Sequence, residues 1–146
     1  MTPNRFNIRV YALCLCGNDE VLITHEKIDT FSFIKFPGGG LELGEGIKDC
    51  LLRELKEEAD LIPQNIQHFY TTDFFQVSAF NPEDQLISVY YTCEVETLWK
   101  EKTIVENKGN KVHQTKVVKT KINEITSKDF TFPIDQKVFE TFLKSR

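Results

Sequence analysis

The sequence predicts an α+β fold with a mixed β-sheet, and three segments carry the prediction. Residues 6–16 alternate apolar side chains on one face with Tyr11, Leu13 and Leu15 on the other, which indicates a strand buried on both sides. Residues 51–62 place Leu and Ala side chains at helical spacing. Residues 134–143 form a second amphipathic helix with Val138, Phe139 and Phe142 on its apolar side.

The other elements follow from apolar runs and turn residues. A Gly-Asn-Asp turn at 17–19 leads into a second strand at 21–25, and Pro63 stops the first helix. The remaining strands are expected at 68–80, 86–96 and 112–122. The first helix is expected to bury a stripe formed by Leu51, Leu55, Ala59 and Ile62.

Composition favours one globular domain spanning residues 1–146. Hydrophobic residues make up 40% of the chain and charged residues 27%, with a net charge of −4. No run of about 18 apolar residues is present to span a bilayer, and the start of the chain lacks an apolar signal core. We therefore expect a cytoplasmic protein without a membrane partner. The overall acidity argues against a nucleic acid polymer as partner, and a homodimer is left open.

The four cysteines lack the paired spacing of a zinc site. They are therefore expected to be reduced thiols that act as small core side chains. The four are Cys14, Cys16, Cys50 and Cys93.

Three carboxylates share one face of the first helix. Glu54, Glu57 and Glu58 stand at relative positions i, i+3 and i+4, so they project from the same side. Clustered carboxylates repel one another unless a cation lies among them, and hard oxygen ligands suit Mg²⁺ or Mn²⁺. A solvated acidic face is the alternative. The preceding Phe36-Pro37-Gly38-Gly39-Gly40 turn favours a metal site, because its backbone can approach an ion or phosphate closely.

The segment from Gly39 to Leu61 resembles the signature of the Nudix hydrolase family. The signature has the form Gly-x5-Glu-x7-Arg-Glu-(aliphatic)-x-Glu-Glu-x-Gly-(aliphatic). This chain matches its charged positions with Glu45, Arg53, Glu54, Glu57 and Glu58. Asp60 replaces the late glycine of the signature. This position is expected to end the helix in the left-handed conformation, which Asp adopts at a small cost relative to Gly.

The resemblance implies an α/β/α sandwich with the mixed sheet between helices. It also implies an enzyme that uses Mg²⁺ or Mn²⁺ to hydrolyse a diphosphate linkage in a nucleoside diphosphate joined to another group, such as a nucleotide sugar, a dinucleotide or a nucleoside triphosphate. Glu54, Glu57 and Glu58 would bind the metal with the Gly38 carbonyl. Arg53 and Glu45 would orient these ligands.

The general base and the substrate contacts are less constrained. Glu54 is the candidate base within the signature, and acids outside it remain alternatives, namely Asp73, Glu94, Glu96, Glu101 and Glu106. Phe33 and Phe75 are candidates to stack on a base. Lys116 belongs to a lysine-rich stretch, residues 100–128, that would suit an anionic substrate.

Two other function classes compete with the enzyme. One is a Nudix-like module that binds or senses a nucleotide without cleaving it. The other is a binding scaffold with a purely structural acidic helix, which leaves the Pro-Gly-Gly-Gly turn without a reason. The intact glutamates favour the enzyme.

Overall fold

The computed structural model describes residues 2–146, and its centre is a mixed β-sheet. Eight strands and two α-helices lie within these residues: β1 (Arg5–Cys16), β2 (Glu20–Ile28), β3 (Phe31–Lys35), β4 (Gly38–Gly40), α1 (Ile47–Ala59), β5 (Gln64–Thr71), β6 (Asp84–Val95), β7 (Lys102–Lys108), β8 (Lys111–Lys121) and α2 (Pro133–Lys144). The sheet order is β5-β6-β1-β2-β8-β7, with β3 paired to β2 and β4 paired to β1. β1 and β6 are parallel, and the other pairs are antiparallel.

The two faces of the sheet pack against different helices. Val10, Ala12 and Cys14 of β1 belong to a core cluster with Leu51 and Leu55 of α1. Residues on the other face of β1 and β2 form a second cluster with Val138, Phe139 and Phe142 of α2. The alternation along β1 therefore separates two buried layers, as the sequence predicts, and the α/β/α sandwich is confirmed.

The sheet is split between β1 and β2. β1 and β2 pair at Leu15↔Val21 and Cys16↔Glu20, beside the turn that joins them, and then diverge. Farther from that turn, β4 pairs with β1 and β3 pairs with β2. The chain between β3 and β4 carries Phe36 and Pro37 across the split. The glycine segment is therefore part of the sheet at this position.

Several sequence predictions are corrected here. Ile62 is 76% exposed, because α1 ends at Ala59 and the helical spacing does not reach it. The strand expected at 68–80 ends at Thr71, and a loop follows whose aromatic residues resemble a strand in sequence. β3, β4 and β7 were not predicted, because they are short or, for β7, polar.

Asp60 stands at the end of α1, at the position where the signature has a glycine. Asp60 takes the left-handed conformation there, with φ 50° and ψ 46°. Its carboxylate accepts a hydrogen bond from Lys56 Nζ at 2.6 Å on an exposed surface. The indole Nε1 of Trp99 donates to the Ala59 carbonyl at 2.7 Å, which satisfies one of the free carbonyls at the helix end.

Asp60→Gly is expected to raise the thermal midpoint by about 2 °C, because glycine adopts this conformation without strain and an exposed ion pair contributes little. Activity should stay within about twofold of the parent. Asp60→Ala is the matched control, since it loses the same ion pair and keeps the strain, so its midpoint should fall. A midpoint as low for Asp60→Gly as for Asp60→Ala would contradict the backbone explanation.

No helix within residues 2–146 combines the length and the apolar character needed to cross a bilayer.

Candidate active site

Arg53 is the centre of the charged cluster on α1. Its Nη2 donates to Glu45 Oε1 at 2.7 Å and its Nε donates to Glu45 Oε2 at 2.9 Å, which is a bidentate pair. Its Nη1 lies 2.8 Å from Glu54 Oε1 and 3.4 Å from Glu57 Oε2. Hydrogen bonding to Arg53 lowers the pKa of Glu45 to about 2. The structure thus pairs Glu45 with Arg53, the two residues that the resemblance assigns to orienting the metal ligands.

Arg53 also ties α1 to the glycine segment. Its Nη2 donates to the Gly40 carbonyl at 3.0 Å. A Cβ atom on Gly39 would stand 2.4 Å from the carboxyl carbon of Glu54, so the Glu54 side chain fills the space that glycine leaves open. Gly38 has φ 147°, and a Cβ atom there would stand 2.1 Å from the Val10 carbonyl oxygen. These two glycines are required by close packing and by conformation, respectively.

Glu58 is the buried acid of the helix. Its Oε2 atom is inaccessible and has no hydrogen-bond partner among residues 2–146. Burial raises the pKa of Glu58 to about 8, although the Lys35 ammonium opposes the shift. A carboxylate oxygen left without a donor in the interior is costly, and a cation removes that cost.

Lys35 is a buried cation whose charge is balanced by two buried acids, Glu26 and Glu58. Its ammonium is 2.9 Å from Glu26 Oε2 and donates to the carbonyls of Phe36 and Gly38 at 3.2 and 3.4 Å. Glu26 is also 2.8 Å from His113 Nε2. Despite burial, Glu58 and Glu26 raise the pKa of Lys35, so the ammonium is charged.

The three predicted metal ligands are only partly brought together. Glu54 lies close enough to Glu58 for its charge to raise the pKa of Glu58, whereas Glu57 is exposed and lies 3.4 Å from Arg53 Nη1. In the part of the chain that the structure describes, no three His, Cys, Asp or Glu side chains converge closely enough to hold a metal ion.

The residues nevertheless fit an Mg²⁺ or Mn²⁺ ion. The unpartnered Glu58 Oε2, the adjacent Glu54 carboxylate and the Gly38 carbonyl are all hard oxygen donors. The Glu57 carboxylate contacts Arg53 Nη1 at 3.4 Å. Because this exposed contact is long and weak, a bound cation would draw the Glu57 carboxylate away from Arg53.

A cavity of about 790 Å³ opens from the split on the face that carries α2. Phe33, Phe80 and Phe132 form an aromatic wall, with ring centroids 5.3 to 5.9 Å apart. Polar groups lie among the other lining residues. Tyr90 Oη donates to Asp135 Oδ1 at 2.6 Å, and burial raises the pKa of Asp135 to about 6.

Two further polar side chains line the cavity and retain hydrogen-bonding capacity. The buried Oε1 atom of Gln76 has no partner among the described residues. Arg9 donates from Nε to Tyr11 Oη at 3.0 Å, and its terminal nitrogens make no hydrogen bond within residues 2–146. Such groups need a ligand or water as partner.

The predicted substrate contacts divide between the cavity and other surfaces. Phe33 lines the cavity, whereas Phe75 is exposed and its neighbour Phe74 lines it instead. Lys116 lines a smaller depression with His25 and Gln114. The acids proposed as alternative bases outside the signature do not line the cavity, and Glu26 and Asp135 do.

Sequence reasoning missed most of the cavity. Arg9, Lys35, Gln76 and Asp135 stand on separate strands, a loop and a helix, so no local spacing joins them. The sequence did carry one signal of the cavity. Arg9 is a charged residue in β1, a strand predicted to be buried on both sides.

A family model described as the NUDIX domain matches residues 5–140. The chain therefore belongs to the Nudix family, which confirms the resemblance carried by Gly39 to Leu61. The 8-oxo-dGTP diphosphatase of Escherichia coli K12 is 34% identical to it over 59 residues. That match covers 39% of this chain and 46% of the relative, so it spans less than half the length of the curated protein.

Solved structures agree on the fold. A MutT structure from work on Aliivibrio salmonicida and Vibrio cholerae has a TM-score of 0.61 at 20% identity, covering 93% of this chain and 98% of its own. The MutT protein of Bacillus halodurans has a TM-score of 0.65 at 16% identity, with coverage of 92% and 80%. A NUDIX hydrolase from Nitrosomonas europaea has a TM-score of 0.67 at 20% identity, with coverage of 95% and 89%.

Proposed function

We propose that this protein hydrolyses a diphosphate linkage in a nucleoside diphosphate joined to another group, by attack of water at phosphorus. One observation carries the proposal: Glu58 Oε2 is buried without a partner among the described residues, and the positive charge that acts on it comes from Lys35, which lines a cavity with an aromatic wall. We take this cavity as the nucleoside site and propose that the diphosphate extends from it toward the carboxylates of α1.

The proposed metal site consists of Glu54, Glu57, Glu58 and the Gly38 carbonyl, with Mg²⁺ or Mn²⁺ as the ion. When bound, the ion supplies Lewis-acid neutralisation of the diphosphate and lowers the pKa of the attacking water. Arg53 and Glu45 hold Glu54 and the Gly40 carbonyl in place through the contacts described above.

Glu54 is proposed to accept the proton of the attacking water. Its carboxylate packs against Gly39 and is held on one oxygen by Arg53, which leaves the second oxygen without a partner from that residue. Glu26 is the other buried acid at the split, but Lys35, Thr24 and His113 all contact its carboxylate. Those contacts favour its ionised form and lower its basicity, so Glu54 is the better candidate.

The aromatic wall and the polar floor are proposed to bind the nucleoside. Phe33, Phe80 and Phe132 offer ring faces and edges to a base, and Gln76 Oε1 is an acceptor that lacks a donor. The substrate is therefore a small nucleotide rather than a polymer. We further propose action in the cytoplasm, in keeping with the four free, buried thiols.

The test is a product analysis with Mg²⁺ in water labelled with ¹⁸O. The substrates are nucleoside triphosphates, nucleotide sugars, dinucleotides and NADH. The first set includes 8-oxo-dGTP, because a relative is named for it. We expect label in a phosphate-containing product of at least one substrate. Label in a fragment without phosphate would exclude attack at phosphorus, and nucleotide binding without turnover would instead indicate a sensor module.

A further inference from the structure

Arg9 is a charged side chain on the cavity floor that the proposed chemistry does not use. It stands on β1 between Asn7 and Tyr11 and is partly buried, and these neighbours also line the cavity. Within residues 2–146, its guanidinium makes one hydrogen bond, from Nε to Tyr11 Oη. No carboxylate in that range lies within ion-pair distance of it.

Two carboxylates act on Arg9 through their charge, and each is already paired with another cation. Glu54 is paired with Arg53 at 2.8 Å, and Glu26 is paired with Lys35 at 2.9 Å. Both act on Arg9 only through their field. The positive charge of Arg9 is therefore left without a counter-ion in a partly buried place, which is costly unless a ligand supplies one.

The other cations of the cavity are occupied. Lys35 uses its ammonium on Glu26 and on two backbone carbonyls. The Lys137 ammonium stands over the rings of Tyr70 and Phe74, at 5.8 and 5.0 Å from their centroids. Arg9 has two terminal nitrogens to offer, in the planar arrangement that matches two oxygens of one phosphate.

The position of Arg9 indicates which part of a nucleotide it would meet. Its Nη1 lies 3.0 Å from the place that a Cβ atom on Gly40 would take. Gly40 follows Gly39, against which Glu54 packs, and its carbonyl accepts from Arg53. Arg9 therefore stands where the cavity reaches the glycine segment, whose other contacts are Glu54 and Arg53 of α1.

We propose that Arg9 binds the phosphate group attached directly to the nucleoside, through its two terminal nitrogens. This rests on the proposed function, because it takes the cavity as the nucleoside site. Charge-assisted hydrogen bonds of this kind should favour a nucleoside monophosphate over the corresponding nucleoside by about tenfold to a hundredfold in affinity.

The experiment measures binding without hydrolysis, by calorimetry in a chelator. The probes are adenosine with AMP and guanosine with GMP, on the parent protein, Arg9→Gln, Arg9→Lys and Arg5→Gln. Arg5 is the matched control, since it is an arginine on the same strand whose partner is Asp84 and which does not line the cavity. Nucleoside affinity serves as the measure of an intact cavity in each variant.

The parent and Arg5→Gln are expected to prefer the monophosphate by at least tenfold. Arg9→Gln should bind both probes of a pair within twofold, and Arg9→Lys should keep part of the preference, because lysine retains the charge but not the fork. A preference unchanged in Arg9→Gln, a parent protein without the preference, or no binding of either pair overturns the proposal.

The outcome is separable from that of the proposed function. If the Arg9-dependent preference is found while no diphosphate is hydrolysed, the phosphate contact stands and the enzyme proposal fails. If a diphosphate is hydrolysed and Arg9→Gln keeps the monophosphate preference, the phosphate contact fails and the enzyme proposal stands.

Discussion

Glu58→Gln is expected to lower the rate of diphosphate hydrolysis by about 10²- to 10³-fold and, at the same time, to stabilise the metal-free protein. Glutamine keeps the size of the side chain and removes the charge that would bind the cation. It also removes a buried carboxyl whose oxygen has no partner among the described residues. Lys35 keeps its ion pair with Glu26, so no cation is left alone.

The stability gain should depend on pH in a defined direction. Burial raises the pKa of Glu58 from 4.5 to about 8 in the folded protein. An acid whose pKa is higher in the folded than in the unfolded state lowers stability as pH rises through that interval, because the unfolded state releases its proton first. The cost is small at pH 5 and is present in full above pH 8.

The measurement is the thermal midpoint of parent and Glu58→Gln in a chelator at pH 5 and pH 8. We expect similar midpoints at pH 5 and a midpoint higher by several degrees for Glu58→Gln at pH 8. Glu57→Gln should also lower the rate and leave the midpoint unchanged, because Glu57 is exposed. Glu140→Gln, on the exposed side of α2, is the control for both readouts.

Full activity of Glu58→Gln would remove Glu58 from the chemistry. Equal midpoints at both pH values would show that the acid is already compensated in the metal-free protein.

The sequence predicts the elements whose periodicity is long. The alternation in β1 covers its whole length, and α1 and α2 each repeat an apolar stripe over three turns. β4 consists of three glycines, which carry no pattern of buried and exposed side chains. β7 is exposed and polar, because it lies at the edge of the sheet and pairs on one side with β8.

The charged half of the site could be predicted, because Glu45, Arg53 and Glu54 lie on or beside one helix at fixed spacing. The orientation of Glu57 could not. At i+4 from Arg53 it is as well placed to contact that side chain as to face Glu54 and Glu58. The competition between an ion pair and a metal ligand is a matter of energies that spacing does not determine.

The cavity is formed by contacts between residues that are distant in sequence. β1 and β6 are parallel neighbours separated by some seventy residues, and this pairing places Ser88 and Tyr90 beside Arg9 and Tyr11. Parallel pairing across four intervening strands and a helix leaves no local signature. Arg9 was therefore visible only as an unexplained charge in a buried strand.

Removal of divalent metal is expected to abolish hydrolysis, and Mg²⁺ or Mn²⁺ should restore it. Glu54, Glu57 and Glu58 are acidic and would repel a diphosphate, so hydrolysis at this face requires a bound cation. Full turnover in a chelator would contradict the proposed metal site. The control is the effect of the same chelator saturated with Ca²⁺ beforehand, which separates metal removal from any effect of the chelator itself.

Metal should also stabilise the folded protein, and more strongly as pH rises. An ion at about a hundred times its dissociation constant adds about 2.7 kcal/mol when it binds only the folded state. It competes with the proton on Glu58, whose pKa of about 8 leaves much of the carboxyl protonated at pH 7. The rise in thermal midpoint on adding Mn²⁺ should therefore be larger at pH 8 than at pH 6 in the parent. The rise should be small at both pH values in Glu58→Gln, because that variant lacks the titrating ligand. A rise that is independent of pH and equal in the two proteins would place the ion away from Glu58.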